Sequence, residues 1–108
     1  MMLRWLAVSV LSLFLVACGG GVQKDIDTQK LAETNLHLAI GYLKQGRIEA
    51  SLEKLQRALE AEPDYAPAHS TIALVYQRMG EFDKADEHFQ RALSLNPQDG
   101  RTHNNYAV

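Results

Sequence analysis

Three regimes of hydrophobic patterning divide the chain. Residues 5–16 are almost continuously apolar, broken only by Ser9 and Ser12. Residues 22–30 are polar apart from Val22 and Ile26. Beyond them the pattern predicts amphipathic helices at about 32–45, 48–61, 67–79 and 82–95, with a fifth beginning near Gly100. Gly46 and Gly80 sit at the expected helix–helix turns, where a positive φ is often needed. Pro63 and Pro97 follow the second and fourth helices and stop them, while Pro67 lies near a helix start, where its missing N–H costs little.

The helical part repeats itself. A shift of 34 residues lays Ala32 on Ala66, Ala39 on Ala73, Tyr42 on Tyr76, Gly46 on Gly80 and Pro63 on Pro97. It also lays the run Gln56-Arg57-Ala58-Leu59 on Gln90-Arg91-Ala92-Leu93. This period and pattern resemble the tetratricopeptide repeat. The resemblance implies an all-α solenoid of helical hairpins. Small Ala39, Ala73, Ala58 and Ala92 let helix backbones approach, and Tyr42, Tyr76, Leu55 and Phe89 fill the space between them. The division is repeat 1 over 31–65, repeat 2 over 66–99, and the start of a third over 100–108, where His103 and Ala107 fall one period after His69 and Ala73. Such repeats bury their open faces only by stacking, and about three are needed for stability. The expectation is therefore a fragment of a longer array that melts at low temperature or self-associates.

The apolar run is a targeting segment. Arg4 precedes it, and at about a dozen residues it is short of the ~20 a spanning helix needs, as in a secretory signal peptide. Cys18 is the sole cysteine, so it closes no internal disulfide. Leu15-Val16-Ala17-Cys18 resembles the bacterial lipobox, which implies a signal peptide over 1–17 and lipidation at Cys18. Gly19 in place of aspartate implies the outer membrane, with the chain facing the periplasm. Two acyl chains suffice for stable anchoring, and a lipoprotein cysteine carries three. The segment 18–30, opening on Gly19-Gly20-Gly21, reads as a flexible tether with, at most, a frayed first helical turn.

Net charge is −2, and loss of Arg4 with the leader makes the mature chain one charge more negative. That balance excludes a nucleic-acid partner held through phosphates. There is no phosphate-binding glycine loop, nucleophile constellation or paired carboxylate site, so neither an enzyme nor a small-molecule substrate nor a cofactor is expected. His37, His69, His88 and His103 lack metal-ligand spacing and read as surface or inter-repeat packing residues. A protein partner is expected instead, on the concave face lined by the first helix of each repeat. The candidate groove is Leu36, Ile40, Leu43 and Lys44, then Leu74, Gln77 and Arg78. Leu36, Ile40 and Leu43 form one apolar stripe with two open readings: packing against the preceding segment, such as Ile26 or Leu31, or a docking groove rimmed by Lys44 and Arg78.

The stretches Leu38-Ala39-Ile40-Gly41-Tyr42-Leu43-Lys44-Gln45-Gly46, Ala66-Pro67-Ala68-His69 and Asn104-Asn105-Tyr106, with the lipobox, resemble the tetratricopeptide pilotin lipoproteins of type IV pilus biogenesis. That resemblance implies capture of a secretin subunit in an apolar groove of the early repeats and its delivery to the outer membrane. The alternative is a lipoprotein scaffold of another envelope machine, for outer-membrane protein assembly or cell-wall synthesis.

Overall fold

The computed structural model describes the backbone over residues 20–107 and the side chains over 27–106; the leader at 1–17 and Cys18 lie outside the described residues. The described residues form five helices and no strand: α1 Gly20–Lys44, α2 Ile48–Ala61, α3 Ala66–Arg78, α4 Phe82–Leu95 and α5 Gly100–Ala107. The pairs α1–α2 and α3–α4 pack as hairpins, joined through α2–α3 and α1–α3 contacts, and α5 packs on α4. This is the solenoid of helical hairpins expected from the 34-residue period. None of the described helices is long and apolar enough to cross a membrane.

Both hairpin turns have the same build. Gly46 and Gly80 take φ of 73° and 76°. In the first turn Arg47 N–H donates to Tyr42 O at 2.9 Å and Gly46 N–H to Leu43 O at 3.1 Å. In the second, Glu81 donates to Tyr76 O at 2.9 Å and Gly80 to Gln77 O at 3.1 Å. This is the Schellman arrangement, which satisfies two carbonyls left over at a helix end and requires a left-handed residue. Pro67 occupies the first turn of α3, and Pro63 lies just past the end of α2.

The main core joins the first hairpin to α3: Ala32, Leu36, Ala39, Leu43, Leu55, Ala58, Ala68, Ile72 and Val75 are all buried. A second cluster of Ala73, Ala85 and Phe89 lies in the second hairpin. Alanine at 39 and 58, fully buried, leaves room for Leu55 between α1 and α2. Buried Ser51 adds a bond across the hairpin, its hydroxyl donating to Ala39 O at 2.8 Å.

One expectation is corrected. The 18–30 segment read as a tether is helical from Gly20 onward. It contains no proline, and Gln23, Lys24, Gln29 and Lys30 are good helix formers. Once residues 32–44 are held by packing, extending the helix toward the N-terminus needs no new nucleus. Thr28 Oγ1 also donates to Glu62 Oε1 at 2.8 Å, tying α1 to the end of α2.

Candidate partner-binding groove

Helices α1, α3 and α5 meet around one pocket. Buried Thr102 gives its one hydroxyl proton to Asp99, so at 3.0 Å its Oγ1 accepts from the Ser70 hydroxyl, and this bond links α5 to α3. Asp99 fixes the start of α5: its carboxylate accepts from Thr102 Oγ1 at 2.5 Å and from Arg101 N–H at 3.1 Å. The Thr102 hydroxyl bond holds the Asp99 carboxyl below the usual carboxylate range.

Between these three helices lies a pocket of about 290 Å³, lined by Ile40, Leu43, Lys44, Ser70, Thr71, Leu74, Arg78, Arg101 and Asn105. Its floor is apolar, from Ile40, Leu43 and Leu74, and Lys44, Arg78 and Arg101 are exposed around it. Arg78 Nη1 donates to Leu43 O at 3.3 Å, which holds the end of α3 against the end of α1.

Five of the seven groove residues expected from the sequence meet here: Ile40, Leu43, Lys44, Leu74 and Arg78. Leu36 does not. It is 7% exposed and packs inside the main core. Gln77 is half-buried on α3 and does not line the pocket. The apolar stripe therefore splits, and neither of its two readings covers all of it. Leu36 and Leu43 pack with Ala68, Ile72 and Val75 of the following repeat, while Leu31 of the preceding segment stays 53% exposed. Arg101 and Asn105 were not expected. Their signal was present, because Arg101 falls one period after Pro67 and Asn105 one period after Thr71.

A second, larger cleft of about 420 Å³ lies between α2, α3 and α4, lined by Gln56, Leu59, Glu60, Ile72, Tyr76 and His88. Beside it His69 and His88 behave as inter-repeat packing groups, while His37 and His103 are exposed. His69 Nε2 lies 2.9 Å from Pro63 O, and one period later His103 Nε2 lies 2.9 Å from Pro97 O. A carbonyl can only accept, so each Nε2 carries the proton. His69 Nδ1 is then the acceptor for His88 Nδ1–H at 3.0 Å. His88 also stacks on Tyr76, with ring centres 5.7 Å apart. Burial, aided by neighbouring His69 and opposed by Glu87, pushes the His88 imidazole below its ordinary range. No group of three or more metal-ligating side chains forms among the described residues.

A tetratricopeptide-repeat family model matches residues 30–98. Among solved structures, one from a functional characterization of Pseudomonas aeruginosa PilF superposes with a TM-score of 0.72 at 34% identity, covering 74% of this chain and 36% of that one. Two crystal structures of MamA superpose with TM-scores of 0.67 and 0.66, both at 32% identity, covering 75% of this chain and 47% and 44% of theirs. The chain thus spans less than half the length of these solved relatives. No curated protein sequence matches it.

Proposed function

The chain belongs to the tetratricopeptide-repeat family, and from that premise we propose that it is a lipid-anchored envelope protein that holds a secretin subunit in its concave groove during type IV pilus biogenesis. The observation that carries this reading is the pocket between α1, α3 and α5, where an apolar floor of Ile40, Leu43 and Leu74 is open to a partner side chain. Similarity to Pseudomonas aeruginosa PilF at 34% identity supports the pilus assignment, as do the Asn104-Asn105-Tyr106 run and the lipobox ending in Cys18. Lipidation at Cys18 would place the groove in the periplasm against the outer membrane, where a secretin subunit arrives. The function is binding and delivery; no group here is asked to make or break a bond.

Deleting the gene is expected to abolish secretin multimers and twitching motility, and intact pili in the deletion strain would sink the pilus assignment. A second reading is a scaffold of another envelope machine, because the match to MamA at nearly the same identity and coverage means that the repeats alone do not single out a pilus protein. Intact pili together with defective outer-membrane protein assembly or cell-wall synthesis would favour it.

A further inference from the structure

The groove has a charge character that the apolar stripe alone does not announce. Its lining includes Lys44, Arg78 and Arg101 and no aspartate or glutamate. This is a local excess, because the whole chain carries 11 basic against 13 acidic residues. The two ion pairs of the described residues, Arg57–Glu53 and Arg91–Asp64, involve none of the three. Arg78 uses one N–H on Leu43 O, which leaves the rest of its five donors facing outward. Asp99, just before α5, has its carboxylate engaged by the Thr102 hydroxyl and the Arg101 backbone N–H, and it acts on the Arg101 charge only at a distance, without an ion pair. The three cations come from three different helices, so the fold, not a run of sequence, brings them together around one apolar floor.

The size of the pocket says what sits there. At about 290 Å³ it lies at the bottom of the ~300–1,000 Å³ range of small-molecule sites. That is room for one or two side chains of a docked segment. Apolar floor and cationic rim together ask for an apolar side chain with negative charge on either side of it. Thr71 and Asn105 add polar groups at the same wall.

We propose that the groove selects an internal peptide segment of its partner in which a bulky apolar residue is flanked by aspartate or glutamate, the apolar side chain entering between Ile40, Leu43 and Leu74 and the carboxylates meeting Lys44, Arg78 and Arg101. This rests on the groove reading given above and adds to it the chemistry of the segment. Each cation is exposed, so each contributes modestly, and together they give preference more than affinity.

The test uses the full chain and fluorescent peptides blocked at both ends, so that no terminal carboxylate is present. A central phenylalanine is flanked by glutamates, by glutamines or by lysines, and binding is read by fluorescence anisotropy. The glutamate peptide is expected to bind at least tenfold tighter than the glutamine peptide in low salt, with the gap closing in high salt. Lys44→Gln with Arg101→Gln, both at exposed positions, should remove the gap while circular dichroism shows unchanged helix. Equal binding of the glutamate and glutamine peptides overturns the charge selection and leaves the groove reading standing. Charge selection also falls, and the groove reading also stands, if no peptide binds but Leu74→Asp still abolishes capture of the full-length partner. If no peptide binds and Leu74→Asp leaves capture intact, the groove reading falls as well. Binding of dihexanoyl phosphatidylglycerol, in place of the peptide and dependent on Arg101, would assign the cations to a lipid headgroup and overturn the proposal.

Discussion

At Gly80 the chain turns with φ of 76°, and nothing lies within 4 Å of where a Cβ would stand. Gly80→Ala therefore tests backbone conformation alone. A left-handed alanine costs about 1 kcal/mol, so the urea midpoint should fall accordingly with an unchanged slope. His88 makes a different residue-scale prediction. Its imidazole titrates below the ordinary value of 6.5 because burial disfavours the charged form. Between that lowered value and 6.5 the unfolded chain takes up a proton that the folded chain does not, so stability rises with pH and is lost as pH falls through this window. Urea unfolding at successive pH values should show this loss, and His88→Asn should flatten it.

At the scale of the element, four of the five helices end within a residue or two of where the sequence puts them, because what ends them is local. Gly46, Gly80, Pro63 and Pro97 act through their own dihedral angles and missing N–H groups. The start of α1 was not legible. A glycine run reads as a tether, and residues 22–30 have good helix formers but no apolar periodicity to announce that the helix continues through them. The groove was legible in register but not in depth. Helical spacing puts Leu36, Ile40 and Leu43 on one face, yet only the stacking of α3 on α1 decides that Leu36 is covered and Ile40 stays half-open. Arg101 and Asn105 needed the third helix around the pocket to be placed. The distinction is testable. Leu36→Asp puts a charge into the core without a partner and should unfold the first hairpin, seen as lost helix by circular dichroism. Ile40→Asp should leave the helix content intact. Ser51→Ala removes one buried hydrogen bond, but Ala39 O keeps its place within α1, so the cost should stay near ~1 kcal/mol.

At the scale of the whole molecule, the described residues form two hairpins and α5 around a small core. The largest fully buried side chains are Phe89, Leu55 and Val75, while Phe82 is 66% exposed. Met79 and Tyr106 also remain exposed. Such a chain has few apolar contacts to set against chain entropy. It should melt at low temperature or associate with itself. A cooperative melt of a monomer well above ambient temperature would contradict this. The proposed anchoring at Cys18 is tested separately: Cys18→Ser should abolish labelling by radioactive fatty acid.

The central claim is that the face formed by α1, α3 and α5 holds the partner. The most direct measurement is capture of the proposed secretin partner by the full chain, compared with Ile40→Asp plus Leu74→Asp, two half-buried positions on the pocket floor. The account predicts that capture is lost while helix content at the assay temperature is retained, with melting lowered by the loss of two side chains that pack against the core. Undiminished capture by this folded double variant would contradict it and move the binding surface to another face.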